Sequence, residues 1–373
     1  MGKLFSKFVL LLSLVLMAGP AAAQDTLKVG FGGAILGQLA AYGNSNLYGL
    51  EYAIGQINAK GGVLGQQVEL VKEDDGCKPD SASSAATKLL SQGLKLVFGH
   101  TCSGATRSAL SVYGNSVLMV ASSATEVSLT EDGAHPYFFR TTPRDDFQVP
   151  TQVAYIRDKG FKKVAILHDK GDYGLALAEL AKKDLEADPQ GIEIVLFEGV
   201  TSGEVSYDDT VSLLAAKGAE VLVWGGYYSD ASKLALQMRG KGLKTVIIGP
   251  DGLYNPSFIE MAQEASEGVL ATGQMDLSKS EIAQAAIADH KTRHSEEIGP
   301  YFFYAAGAAQ AVFAAVEKVG NTTDFEAIKK HLTEDTVETV MGPVRFDAKG
   351  DIIGVPFSLY EIQGGKFVEL PNK

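Results

Sequence analysis

Short apolar runs alternate with longer segments of helical periodicity along most of the chain. The apolar runs predict strands at 27–30, 68–72, 94–99, 117–121, 163–168, 193–197, 221–225, 245–249 and 269–272. Apolar positions at helical spacing predict helices at 46–59, 81–92, 147–159, 175–185, 209–217, 230–239, 301–319 and 325–332. This alternation is typical of parallel sheets covered by helices, with ligands bound at the carboxyl ends of the strands.

The alternation is interrupted at 138–143 and restarts at Lys163, which indicates a second α/β half. The last part of the chain has few crossover helices and ends in hairpin-like runs, so we expect it to complete both halves. The predicted first lobe is 24–142 plus 273–352, and the predicted second lobe is 143–272 plus 353–373. Two halves joined by more than one crossover would form a hinged cleft.

The first residues have the layout of a secretory signal peptide. Lys3 and Lys7 precede an apolar run at 8–18, and the small residues Ala21, Ala22 and Ala23 follow. The apolar run is shorter than the roughly 20 residues that span a bilayer. We therefore expect a signal peptide at 1–23, cleavage after Ala23, and a soluble mature protein in the periplasm.

Composition narrows the functional class. A formal net charge of −12 over 373 residues argues against a nucleic-acid-binding or membrane-surface protein, and the length favours two domains. The chain has two cysteines, Cys77 and Cys102. In an oxidising compartment they are expected to form one disulfide, with two free thiols as the alternative.

Motifs for catalysis, cofactors and metals are weak. The glycine-rich run at 30–34 has Ile35 where a dinucleotide fingerprint has its third glycine, and no G-x-S-x-G motif is present. His290 and His294 lack the glutamate of a zinc motif, so we expect solvent-exposed histidines and no metal. His100 and His168, at strand ends, are expected to have supporting or surface roles. The sequence predicts neither an enzyme nor a cofactor.

Several segments in chain order resemble the bacterial leucine/isoleucine/valine-binding proteins. They are 52–62 (YAIGQINAKGG), 74–77 (DDGC), 99–103 (GHTCS), 168–170 (HDK) with 173–174 (YG), 225–227 (GGY), 249–252 (GPDG) and 340–343 (VMGP). The resemblance implies a type I periplasmic binding protein, an α/β fold of two doubly wound Rossmann-like lobes with a hinge and an interlobe ligand cleft. It also implies three crossovers, a disulfide between the cysteines, and delivery of ligand to an ABC permease.

The resemblance also implies which residues hold the amino acid. Ser103, Ser123 and Thr125 match the positions that bind its carboxylate, and a helix after Ser103 would add N–H donors. We assign the ammonium to Asp251, helped by the Ser123 carbonyl and the Thr125 hydroxyl. The family usually has Glu at the position of Asp251, so contact is direct from a deeper ligand or through water. The alternatives are Ser103 as a helix cap and Asp251 as a turn residue.

The side-chain pocket matches positions that form pocket walls in the family, namely Tyr42, Thr101, Tyr173, Tyr227 and Tyr301. Tyr301 and Thr101 make the pocket look more polar than one built for aliphatic side chains alone. The predicted function is a monomeric solute-binding protein for a neutral, possibly branched-chain, amino acid. The alternatives are a binding protein for another small polar ligand, such as an amide or urea, and a periplasmic sensor subunit.

Overall fold

The computed structural model describes residues 26–371, so the predicted signal peptide and its cleavage after Ala23 lie outside the described residues. The first part of the chain forms a parallel five-stranded sheet in the order β2-β1-β3-β4-β5. Its elements are β1 Leu27–Gly33, α1 Ala40–Asn58, β2 Val68–Asp74, α2 Pro79–Ser91, β3 Leu96–Gly99, α3 Ser103–Tyr113, β4 Leu118–Ala121, α4 Ser128–Glu131 and β5 Phe138–Arg140. We call this sheet and its helices the first lobe.

A second sheet follows, with seven strands in the order β14-β13-β10-β9-β8-β6-β7. Its first elements are α5 Asp145–Asp158, β6 Lys163–His168, α6 Asp172–Glu186, β7 Glu193–Gly199, α7 Asp208–Lys217, β8 Val221–Gly225, α8 Tyr228–Gly240, β9 Val246–Gly249, the 3₁₀ turn Asp251–Leu253, α9 Pro256–Ala262, the 3₁₀ turn Gln263–Ser266 and β10 Leu270–Gln274. We call this sheet and its helices the second lobe.

The rest of the chain returns to each lobe in turn. It contains α10 Glu281–Arg293, α11 Phe302–Val319, α12 Phe325–Glu334, the hairpin of β11 Val337–Thr339 and β12 Gly342–Val344, and the pair β13 Phe357–Gln363 and β14 Lys366–Glu369. Helices α10 to α12 share a hydrophobic core with β1 and α1 of the first lobe, whereas β13 joins β10 of the second sheet antiparallel. The predicted lobe boundaries at 142/143, 272/273 and 352/353 stay predictions.

Both sheets are covered by helices on both faces because their central strands are apolar on both sides. Val164 and Ile166 of β6 pack into one core with α5 and α6. Ala165 and Leu167 point the other way, into a core with α7 and α8. The predicted two-lobed, doubly wound α/β architecture is confirmed. Between residues 26 and 371, no helix has both the length and the hydropathy needed to cross a bilayer.

The order of the first three strands is the same in both sheets, so both lobes have the same arrangement of loops at the carboxyl ends of these strands. In the first sheet the chain runs from β1 outward to β2 and then returns to β3 on the other side of β1. In the second sheet β6, β7 and β8 repeat this path. Loops that leave neighbouring strands in opposite directions open a crevice at their carboxyl ends. The loops after β1, β3, β6 and β8 are therefore where a ligand site is expected.

The predicted disulfide is confirmed. Cys77, after β2, is bonded to Cys102, which precedes α3, and the Cα atoms are 5.3 Å apart at a sequence separation of 25. The bond ties the loop that carries Thr101 and Ser103 to the end of β2.

Reducing this disulfide should lower the free energy of unfolding by about 3 kcal/mol, since a closed loop of this length restricts the unfolded chain. Urea unfolding of the ligand-free protein, with and without dithiothreitol, measures the difference. A Cys77→Ser/Cys102→Ser variant should be equally destabilised and should not respond to reductant. Equal stability of the unmodified protein with and without dithiothreitol would contradict the assignment.

Candidate functional site: an interlobe cavity

A small cavity lies where the two lobes meet. Its lining includes eight of the nine side chains predicted to bind ligand, which are Tyr42, Thr101, Ser103, Ser123, Tyr173, Tyr227, Asp251 and Tyr301, together with Cys102 and Gly252. Thr125, the ninth, is fully buried and is not among the lining residues. Residues separated by more than 250 positions in sequence thus meet in one place.

The first lobe contributes hydrogen-bond donors. Ser103 is the first residue of α3, which begins at its N-cap Cys102 without a side-chain cap, so the alternative that Ser103 is the helix cap is wrong. Its Oγ accepts the Glu126 N–H at 3.3 Å, which leaves the Ser103 hydroxyl hydrogen available for another acceptor. The first-turn N–H groups of a helix have no partner within the helix, so this end of α3 favours an anion.

Ser123 and Thr101 lie beside the start of α3. The Ser123 hydroxyl donates to the Thr101 carbonyl at 2.8 Å and accepts from the Asn46 amide at 2.8 Å, so its hydrogen-bonding capacity is largely used. Ser123 therefore offers a ligand its backbone and not its side chain. The Thr101 and Thr125 hydroxyls, by contrast, are buried without a hydrogen-bond partner.

The second lobe contributes a buried carboxylate. Asp251, only 1 % exposed, follows β9 in a 3₁₀ turn. One oxygen accepts from the Tyr173 hydroxyl at 2.6 Å and from the Gln148 amide at 3.0 Å. The other accepts from the Tyr301 hydroxyl at 2.8 Å and from the Gln274 amide at 3.0 Å. Neutral donors surround this carboxylate, and each of its oxygens accepts two hydrogen bonds.

Gln148 and Gln274 were not among the residues predicted to belong to the site. Both amides are buried beside Asp251, Gln148 on the first turn of α5 and Gln274 at the end of β10. No motif marked them. Their positions in the chain could have identified them, because each lies at a point where the chain leaves or enters the second lobe.

The tyrosine rings form the walls of the cavity. Tyr173 and Tyr227 are stacked with centroids 5.0 Å apart, and Tyr42 lies 5.8 Å from Tyr227 and 6.0 Å from Tyr301. Burial raises the pKa of all four phenols well above the usual value, so they stay protonated. The Tyr42 hydroxyl donates to the Gly252 carbonyl, while Tyr173 and Tyr301 donate to Asp251.

These hydrogen bonds revise the expected polarity of the pocket. Since three of the four tyrosine hydroxyls have protein partners, their rings present mainly carbon to the cavity. Thr101 is a wall residue whose buried hydroxyl has no hydrogen-bond partner. The pocket is therefore less polar than its composition suggests.

Several contacts hold the lobes together around the cavity. Tyr42 and Tyr301 of the first lobe reach Gly252 and Asp251 of the second. At the rim, the Arg107 Nε of α3 donates to the Asp172 carboxylate of α6 at 2.9 Å. These contacts cross the cleft, so they describe a closed arrangement.

The histidines take no part in the site. His100 is fully buried, with Nδ1 2.6 Å from Asp75 and Nε2 3.1 Å from the Tyr113 hydroxyl, so its role is supporting. His290 is 1 % exposed and packs against Phe302, so the expectation that it is solvent-exposed is wrong. Among residues 26–371, no three His, Cys, Asp or Glu side chains are grouped so that they could hold a metal ion.

A family comparison identifies the class of protein. The profile described as periplasmic binding protein matches residues 26–366. The chain belongs to the periplasmic binding protein family. The Leu/Ile/Val-binding protein of Citrobacter freundii is 35% identical over 347 residues, covering 92% of this chain and 93% of that protein. The resemblance inferred from the motifs is thus confirmed.

Other periplasmic binding proteins agree with this placement. The leucine-, isoleucine-, valine-, threonine-, and alanine-binding protein of Pseudomonas aeruginosa is 35% identical over 91% of this chain and 90% of its own. The branched-chain amino acid transporter substrate-binding protein of Streptococcus pneumoniae, solved in complex with isoleucine, superposes with a TM-score of 0.82 at 27% identity, covering 93% of this chain and 100% of that one.

Proposed function

We propose that the protein captures a neutral amino acid between its lobes and presents it, in the closed form, to an ABC permease. One observation carries this proposal. The cavity has an N-terminal helix end with a free serine hydroxyl on one side and a buried carboxylate on the other. An amino acid has the complementary pair of charges, and neither charge can be taken from water cheaply without a partner.

The carboxylate of the ligand is assigned to the first lobe. The first turn of α3 supplies N–H groups and the positive end of its dipole, and the Ser103 hydroxyl adds a donor. These groups bind an anion without an arginine.

The ammonium is assigned to Asp251, the Ser123 carbonyl and the Thr125 hydroxyl. Because both Asp251 oxygens already accept two hydrogen bonds, Asp251 attracts the ammonium mainly through its charge. The ligand cation would neutralise a carboxylate that otherwise has only neutral partners. This favours ligands with a positive group over neutral amides.

The side chain of the ligand is assigned to the tyrosine walls. Ring carbon favours aliphatic groups, and the unpaired Thr101 hydroxyl allows a small polar group. The named ligands of the Pseudomonas aeruginosa relative, which include threonine and alanine, fit the same description.

Leucine, isoleucine, valine, threonine and alanine should each be tested on ligand-free protein, and at least one should bind. A ligand at 100 times its Kd stabilises the native state by about 2.7 kcal/mol, which a thermal shift detects readily. Isothermal titration then gives the Kd. The bound compound should be recovered unchanged, because we infer binding without turnover.

Analogues with one charge are the matched controls. Isoamylamine lacks the carboxylate of leucine, and 4-methylpentanoate lacks its ammonium, so both should bind far more weakly than leucine. Binding of urea or acetamide with no response to any amino acid would favour the alternative ligand class. Equal binding of leucine and its single-charge analogues would refute the paired-charge site.

The location of the protein, the removal of its leader and its oligomeric state are inferred from its family. We infer that the chain is exported to the periplasm, that the leader is removed after Ala23, and that the mature protein acts as a monomer. Its relatives are named as amino-acid-binding proteins, and a transporter substrate-binding protein is among its structural neighbours. Both facts support transport over sensing.

A further inference from the structure

The Gln148 amide joins two buried carboxylates, and its orientation is fixed. Its Oε1 accepts the backbone N–H of Asp251 at 3.0 Å, and a backbone N–H can only donate. The Nε2 group therefore faces the acids, donating to Asp145 Oδ1 at 2.7 Å and to Asp251 Oδ1 at 3.0 Å. Because Asp145 Oδ1 already accepts this hydrogen bond and Oδ2 has no partner, Oδ2 is the favoured position for a proton on Asp145.

Asp145 Oδ2 has one natural partner, the Thr125 hydroxyl. Asp145 Oδ2 and the Thr125 hydroxyl oxygen are both buried and have no hydrogen-bond partner. The Thr125 hydroxyl nevertheless lowers the pKa of the Asp145 carboxyl group. The backbone N–H of Asp145 donates to the Thr125 carbonyl at 3.0 Å, which keeps the two residues adjacent. The Thr125 hydroxyl can thus either accept a hydrogen bond from a protonated Oδ2 or donate one to an ionised Oδ2.

The groups around Asp145 favour the protonated form in the absence of ligand. Burial, followed by the charge of Asp251, raises the pKa of Asp145 well above its usual value. The nearby Thr125 hydroxyl, the hydrogen bond from Gln148 and the charge of Arg140 lower the pKa to a smaller extent. The nearby phenols of Tyr173 and Tyr227 stay neutral, so they add no charge.

We propose that Asp145 is a positioning residue that releases its proton when the ligand ammonium enters the site, so that the Thr125 hydroxyl becomes an acceptor for that ammonium. The O–H bond of Asp145 breaks and its proton passes to solvent. Thr125 then donates to Oδ2, and its oxygen lone pair faces the ammonium. This proposal rests on the proposed function, since it requires a ligand with a positive group.

Isothermal titration with L-leucine, in phosphate and in Tris buffer between pH 6 and pH 8, tests the proposal. A raised pKa that falls on binding means that up to one proton is released and that affinity rises with pH, by up to about tenfold per unit, through the window between the two pKa values. Asn at 145 mimics the protonated acid. Asp145→Asn should release no proton, lose the pH dependence and bind about 10- to 100-fold more weakly, the usual range for a hydrogen bond to a charged group.

Two variants separate positioning from a general loss of structure. Asp146→Asn alters the neighbouring acid, which pairs with Arg144 outside the cavity, and should leave proton release unchanged. Thr125→Val should weaken binding, and adding Asp145→Asn to it should cost little more, because Asp145 acts through Thr125.

A second buried acid provides the decisive contrast. Burial raises the pKa of Asp169 to about 6, so it is another possible proton source. Proton release that persists in Asp145→Asn but disappears in Asp169→Asn would overturn the proposal. Leucine binding without any proton exchange would also overturn it while leaving the proposed function intact. If no amino acid in the panel binds, the proposed function itself fails.

Discussion

Asp251→Ala should weaken amino-acid binding by about 30-fold to several thousand-fold, since losing one partner of a buried charge pair costs about 2 to 5 kcal/mol. The variant removes the charge that attracts the ammonium. It also leaves the Tyr173, Tyr301, Gln148 and Gln274 donors without their acceptor. Isothermal titration against the tightest amino acid of the panel measures the change in Kd.

Asp276→Ala is the matched control for Asp251→Ala. Asp276 lies two residues beyond β10, and its carboxylate is partly exposed and accepts the Ser278 N–H at 2.9 Å. Its removal should leave the Kd nearly unchanged. Unchanged binding by Asp251→Ala, in a variant with native circular dichroism, would show that the ammonium is held elsewhere and that Asp251 is only a turn residue.

The fold was predictable wherever hydrophobic periodicity was strong. The central strands are apolar on both faces, so their sequences stand out from the amphipathic helices around them. Phe138–Arg140 was interpreted as an interruption, although it forms β5 at the edge of the first sheet. A strand of three residues is too short to show a period. The alanine-rich helix α10 was missed because its apolar and polar positions are hardly segregated.

The candidate site was predictable in its residues but not in its hydrogen bonds. Motif positions placed Ser103, Asp251 and the tyrosines beside one cavity. The sequence could not indicate that three of the four hydroxyls point to protein acceptors, because that depends on how the lobes meet. The same limit hid Gln148, which contacts Asp251 across 103 residues of sequence, and Asp145, which lies between Gln148 and Thr125.

Arg140 anchors the segment that leads from β5 of the first lobe to α5 of the second lobe, beside this site. It is fully buried, and its guanidinium donates to the Asp351 carboxylate at 2.5 Å and to the Thr130 hydroxyl at 2.6 Å. It also donates to the carbonyls of Ala124 at 3.2 Å and Glu126 at 2.7 Å. These carbonyls flank Thr125. Arg140 therefore holds both the loop that carries Thr125 and the segment that leads to Asp145.

Arg140→Met should therefore lower the free energy of unfolding by about 3 kcal/mol, the low end of the range for breaking a buried ion pair. The Asp351 carboxylate keeps the Thr130 hydroxyl and Arg144, which is 3.4 Å away, whereas the two carbonyls lose their Arg140 donor. Urea unfolding followed by circular dichroism measures the loss. Trp224, the single tryptophan, lies in β8 of the second lobe, so its fluorescence reports separately whether that lobe is affected. Binding should weaken as well, since the loop around Thr125 loses its anchor.

Arg157→Met is the control for this variant, since Arg157 is 41% exposed and its ion pairs with Asp158 and Asp188 are 3.9 and 3.7 Å long. Arg157 itself is exposed, both distances exceed the length of a hydrogen bond, and the Asp188 carboxylate keeps its hydrogen bond from the Gln190 N–H, so the loss should be about 0 to 1 kcal/mol. The two arginines should therefore differ severalfold in their effect. Adding Asp351→Leu to Arg140→Met should recover part of the stability, because the carboxylate that has lost its main cationic partner is then gone. Equal losses for Arg140→Met and Arg157→Met would mean that the buried pair does not anchor the crossover.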